Sequence, residues 1–176
     1  MATKPVRNTL LALALTALSG TAAAQSLELE ECRITAGPGF PSVKARCGTL
    51  PRPLDPADPA SPDIEIRIAV VPALNLSPET DAIVPIAGGP GQGSVEFYLQ
   101  VRQAFETLRR NRDILLVDQR GTGESSPMDC PIEDDAILFE TEFSMEDTLD
   151  FIEACLDDLP HDPRFFTTSV AVTDLE

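Results

Sequence analysis

Residues 82–126 constrain what this chain can fold into more than any other stretch. They run as an apolar segment (Ile83-Val84-Pro85-Ile86-Ala87), a glycine loop (Gly88-Gly89-Pro90-Gly91-Gln92-Gly93), a helical pattern, a second apolar run (Ile114-Leu115-Leu116-Val117) and then Asp118-Gln119-Arg120-Gly121-Thr122-Gly123-Glu124-Ser125. Two short apolar runs bounded by glycine and separated by an amphipathic helix read as one β-loop-α-β-loop unit, the repeat of an α/β fold. Both loops follow strands. In an open parallel sheet ligands bind at the carboxyl ends of strands, so the two loops are expected to face one crevice.

Each loop has its own chemistry. Four glycines between positions 88 and 93 let backbone amides approach a ligand with no Cβ in the way, and amides aimed outward at a helix N-terminus suit an oxyanion or a phosphate. A dinucleotide fingerprint is the rival reading, since Gly89-x-Gly91 precedes a helix and Asp118 ends the next strand. Its third glycine would fall at position 94, which is Ser94, and Pro90 stiffens the turn. In the second loop Asp118 and Arg120 are expected to form a charge-assisted pair that fixes the backbone, while Gly121 and Gly123 supply left-handed conformations. Tyr98, Val101, Phe105 and Leu108 lie at helical spacing between the loops, with Tyr98 and Phe105 read as core.

The flanks read as follows. Lys4 and Arg7 precede the apolar residues 10–18, and Ala22-Ala23-Ala24 offers a small-residue cleavage site, so residues 1–24 are read as a secretory signal peptide. The run is shorter than the roughly 20 residues that span a bilayer, so no membrane anchor is expected after cleavage. Export to periplasm or medium favours disulfides for Cys32, Cys47, Cys130 and Cys155. Three pairings are possible; joining Cys32 to Cys47 and Cys130 to Cys155 closes the shortest loops. Without a Cys-x-x-Cys, and with His161 the only histidine, no metal site or cofactor is expected. His161 sits between Pro160 and Asp162-Pro163 and reads as a surface residue of a turn.

Residues 25–62 are expected to be a disulfide-stapled segment followed by a proline-rich connector over 49–62, with Pro51, Pro53, Pro56, Pro59 and Pro62. Residues 63–176 follow as a partial α/β domain. Ile64, Ile66, Ile68 and Val70 alternate with Glu65, Arg67 and Ala69, the pattern of a half-buried strand. Residues 75–81 read as a polar turn. Ser144 followed by Asp147 resembles a capping box before a helix with an apolar stripe (Met145, Leu149, Ile152, Leu156, Leu159) and a solvated acidic face. Another helix is expected to start at Thr167 or Thr168. The net charge of −16 repels phosphate backbones and anionic headgroups, so nucleic acid and membrane surfaces are not expected partners.

A strand ending in Gly88-Gly89-Pro90-Gly91 and, one helix later, Val117-Asp118-Gln119-Arg120-Gly121-x-Gly123-x-Ser125 resembles the α/β-hydrolase fold peptidases of the prolyl aminopeptidase and tripeptidyl aminopeptidase group. The tail Thr167-Thr168, Ala171-Val172 and Asp174-Leu175-Glu176 looks like the helix that runs toward the nucleophile strand in those enzymes, and the paired cysteines look like those of the secreted tripeptidyl branch. The resemblance implies an oxyanion loop at Gly88 and Gly89, with Pro90, Gly91, Asp118, Arg120, Gly121 and Gly123 as structural residues of the site. It also implies acyl-enzyme chemistry on a peptide substrate. Two positions depart from the prolyl aminopeptidase pattern: Ala87 stands where histidine is usual and Glu124 where arginine is.

The larger departure is that Gly-x-Ser-x-Gly does not occur, and His161 precedes the place where that elbow belongs. The expected fold is therefore α/β, the N-terminal half of an α/β-hydrolase sheet that lacks the nucleophile strand onward. The chain is expected to be a fragment of a longer exported hydrolase, inactive alone, with residues 83–87 left as a bare sheet edge. A nucleophilic aspartate in place of serine would also follow the missing strand. The alternative is a non-catalytic exported acidic binding domain that engages a partner through the glycine-loop crevice. The oligomeric state is not legible.

Overall fold

Among the residues described, five strands form one mixed sheet: β1 (Glu30–Ile34), β2 (Val43–Pro53), β3 (Asp63–Val71), β4 (Ala82–Ile83) and β5 (Asp113–Val117), in the spatial order β1-β2-β3-β5-β4. The computed structural model describes residues 27–89, 91–130 and 144–175. The expected signal peptide and Pro90 lie outside the described residues. No helix among the described residues is long and apolar enough to cross a membrane.

The first three strands form an antiparallel meander. β1 and β2 pair with Glu30 opposite Cys47 and Ile34 opposite Val43, and the turn between them is closed by Phe40 N donating to Gly37 O at 3.2 Å. A disulfide joins Cys32 to Cys47 across this hairpin, and a second joins Cys130 to Cys155, the pairing that closes the shortest loops. The proline-rich stretch differs from expectation. Thr49 to Pro53 continues β2, with Thr49 opposite Arg67 and Pro53 opposite Asp63. Pro51 and Pro53 are tolerated because a strand residue can pair through its carbonyl alone where the missing N–H is not called on. Only 54–62 behaves as a connector, folded into turns in which Asp55 and Asp58 carboxylates accept from Ala57 N and Ala60 N, both at 2.9 Å.

β3 is buried on both faces at its C-terminal end, so its alternation changes phase. Ile64, Ile66 and Ile68 are buried, but so are Ala69 and Val71, while Val70 is half-exposed. Ile64 and Ile66 face one cluster with Leu50, Leu54, Val117 and Phe166. Ala69 and Val71 face the other with Ile34, Ala45, Tyr98, Ile114 and Leu116. A period-2 reading finds one buried face; it cannot see that a second layer covers the other.

α1 (Ser94–Val101) lies over that second cluster and buries Tyr98, whose ring meets Phe105 at 5.8 Å. The helical spacing of Tyr98, Val101, Phe105 and Leu108 does not make one helix: after Val101 the chain is broken into 3-10 turns over Arg102–Phe105 and Leu108–Arg110, and Leu108 stays exposed. The carbonyls of Arg109, Arg110 and Asn111 accept instead from the amides of Leu74, Asn75 and Glu79, which draws this end out of α-helical register.

β4 runs parallel to β5, with Ala82 opposite Asp113 and Ile83 opposite Ile114. Only these two residues pair, so the strand expected over 83–87 is cut short. Pro85 has no N–H, and β4 has a neighbour on one side only among the described residues; Val84 and Ile86 are 47% and 68% exposed. α2 (Met145–Asp158) begins directly after Ser144, as the capping signal implies; the side chain of Asp147 lies outside the described residues. Its apolar stripe is unpacked, with Met145, Leu149, Ile152 and Leu156 all exposed. α3 (Thr168–Thr173) starts where the sequence places it, and the Thr167 hydroxyl accepts from Val170 N.

Candidate functional site at the carboxyl ends of β4 and β5

Asp118 is the residue that joins the two loops. Its side chain accepts from Val95 N at 2.9 Å and Glu124 N at 3.3 Å, with Ser94 N a further donor. The Ncap of α1 is Gly93, which has no side chain to cap with. Asp118 therefore reaches across from β5 to satisfy the first amides of α1, and its charge suits the positive end of the helix dipole. Burial is the largest influence on its pKa and raises it, opposed by the Val95 amide and the Arg67 charge. Two glycines make room for this. A Cβ on Gly93 would lie 2.8 Å from Asp118 Oδ1, and one on Gly123 would strike the same carboxylate. Gly123 also has φ 54°, a left-handed conformation.

Arg120 does not pair with Asp118, contrary to expectation. Its Nε and Nη2 donate to the two carboxylate oxygens of Asp174 at 2.8 and 2.6 Å, a bidentate pair with both side chains buried. Nη1 donates to Leu54 O and Phe165 O, and Nη2 to Pro53 O, at 2.8, 3.1 and 3.2 Å. All of the guanidinium N–H groups are thus used within the fold, and none remains for a ligand. Arg120 clamps the loop after β5 to the connector and to α3. Two residues apart on one tight loop, Asp118 and Arg120 point to opposite sides of the sheet's end, which is why they serve different neighbours.

Asp174 was not singled out in the sequence as a site residue, and neither was Ser125. Ser125 is wholly buried; its hydroxyl donates to Asp118 O and accepts from Arg67 N, both at 2.7 Å. The signal for Ser125 was its place in the Asp118–Ser125 motif. Asp174 enters the sequence reading only within the tail Asp174-Leu175-Glu176 of the resemblance, where nothing assigns it a partner.

The loops do meet in one crevice. A cavity of about 290 Å³ is lined by Ala87, Gly88, Gly91 and Gln92 from the first loop, Gln119, Arg120 and Thr122 from the second, and Phe166 to Thr168 with Ala171 from the α3 region. Gly89 and Gly91 have φ 147° and 84°, and the amides of Gly88, Gly89 and Gly91 donate to no acceptor among the described residues. Gly121 packs against Phe166, where a Cβ would come within 2.8 Å of the ring. His161 stacks on Phe166 with the ring centroids 6.0 Å apart, and lines no part of the crevice. Chemically the crevice offers backbone N–H donors and neutral polar side chains. No group of three or more His, Cys, Asp or Glu side chains converges on a metal position among the described residues.

No family model matches the chain. One curated protein does. It is the Escherichia coli (strain K12) protein named "Putative hydrolase YuaR", 29% identical over 137 residues, a match that covers 70% of this chain and 27% of that protein. The similarity supports a distant hydrolase relationship. The match spans about a quarter of its relative's length.

Proposed function

We propose that this chain forms the N-terminal part of an exported serine hydrolase of the α/β-hydrolase fold, of aminopeptidase type, releasing N-terminal residues or short peptides. The observation that carries the reading is the crevice itself, lined by Gly88 and Gly91, whose amides, like that of the neighbouring Gly89, have no acceptor among the described residues, beside the loop that Asp118 holds in place. Donors held rigidly where charge develops are what acyl transfer requires, because they stabilise the oxyanion without reorganising during the reaction. The mixed sheet supports it further. β4 lies beside β5 and has no strand on its other edge among the described residues, which is the place the resemblance reserves for the nucleophile strand. Export is supported by the leader-like residues 1–24 and the two disulfides.

In this reading a serine from outside these residues attacks the scissile carbonyl, a histidine moves its proton, and the Gly89 region and the elbow amide hold the oxyanion. The chain contributes the oxyanion loop alone and is inactive by itself. A fluorophosphonate probe tests this: the mature chain is expected to take no label and to release no amino acid from peptide amides. Stoichiometric labelling with turnover would overturn the inactivity, and an intact mass of the native protein matching residues 25–176 would overturn the fragment reading.

A further inference from the structure

The chain carries a net charge of −16, yet one cavity is lined by cations. At the far end of α1 from the glycine loop, Ser42, Lys44, Tyr98, Arg102, Glu106 and Arg109 surround about 370 Å³. Glu106 is the one carboxylate in that lining. With 29 acidic residues in the chain, partners for these cations are not scarce. Nevertheless the side chains of Lys44 and Arg102 make no hydrogen bond or ion pair with any described residue.

The neutral groups of the cavity are also disposed to donate. Arg109 lines the cavity with Tyr98 and gives its Nε to Pro72 O at 3.0 Å, which leaves its Nη groups; since a guanidinium only donates, the Tyr98 hydroxyl can only accept from it and keeps its own proton for another partner. Burial, the largest influence, raises the Tyr98 pKa against the pull of Arg109 and Arg102, so the proton is in place at neutral pH. The Ser42 hydroxyl accepts from Arg33 Nε at 2.8 Å and is left, likewise, with a proton to give. Cations and O–H donors thus converge around a space with a single competing acid.

We propose that this cavity binds a small free oxyanion of the phosphate or sulfate type, held by Lys44, Arg102 and Arg109 with the Tyr98 hydroxyl at its base. Gathering like charges is costly unless an anion lies among them, and Arg and Lys together suit a tetrahedral oxyanion. An extended anionic surface is a poorer ligand, because the acidic remainder of the protein repels it. The assignment is independent of the hydrolase reading.

Tyr98 is the only tyrosine and there is no tryptophan, so intrinsic fluorescence of the intact chain reports on this cavity alone. Inorganic phosphate and sulfate are expected to change that emission saturably, while sodium chloride at matched ionic strength leaves it unchanged. Lys44→Ala and Arg102→Ala, at side chains without partners among the described residues, should each weaken binding by about tenfold, the worth of one charge-assisted hydrogen bond. Glu106→Gln should strengthen it. A response that follows ionic strength alone, or that persists unaltered in both cation variants, would overturn the site. Binding to phosphatidylglycerol vesicles but not to inorganic phosphate would overturn the free oxyanion as its ligand.

Discussion

Asp118 concentrates the local physics of the crevice, since one carboxylate caps α1, holds the loop at Glu124 and lies between Gly93 and Gly123. Replacing it by alanine leaves the part-buried amides of Val95 and Glu124 without this acceptor, at about 1 kcal/mol for each. A loss of only a few tenths in urea unfolding would mean that water replaces the carboxylate without cost. Because its folded pKa lies above the unfolded value, the native state holds this proton more tightly, so the contribution of Asp118 to stability is greatest below the unfolded pKa. It declines as pH rises through the window from the ordinary carboxylate value to the raised one. The stability difference between wild type and Asp118→Asn should therefore shift against wild type across that window; a pH-independent difference would show that the carboxylate is not desolvated. Gly93→Ala places a Cβ 2.9 Å from Gly123 Cα as well as against the carboxylate, an overpacking expected to cost about 1–3 kcal/mol, read in the same melts.

Between elements, two ties decide how the pieces sit. The buried Arg120–Asp174 pair holds α3 against the end of β5, and Arg52 Nε adds a bond to Asp174 O at 3.1 Å. Asp174→Ala leaves a buried guanidinium uncompensated and should cost about 3–5 kcal/mol. The double substitution Arg120→Met with Asp174→Leu should cost much less, because it removes both charges together. Hydrogen exchange of the α3 amides is the sharper readout, since they should lose protection in Asp174→Ala before the sheet does. The Cys32–Cys47 disulfide closes a 15-residue separation within the β1–β2 hairpin, and in the chain-entropy account its removal by paired alanines should cost about 3 kcal/mol. Equal denaturant midpoints with and without the bond would show that the hairpin's ladder is sufficient alone.

At the scale of the whole molecule, the outer edge of β4, which pairs with no strand among the described residues, is the exposed feature with the largest consequence. Unpaired backbone beside Val84 and Ile86 is a template for strand addition, so the isolated chain should self-associate at micromolar concentration. Ile86→Lys should restore a monomer in sedimentation velocity, and if it does not, the association runs through the exposed stripe of α2. Local signals in the sequence determined the strand-loop-helix-strand-loop order, the start of α2 and α3, the local cysteine pairing and the meeting of two glycine-rich loops. Each depends on contacts close along the chain, through periodicity, caps and turn chemistry, and each can be read from residue type and spacing. Tertiary structure alone decided that Arg120 answers Asp174 rather than Asp118, that both faces of β3 are covered, and that Thr49 to Pro53 joins the sheet. Those outcomes depend on which distant segment arrives beside a residue. A guanidinium two positions from a carboxylate carries no mark of a better-placed acid 54 positions further on.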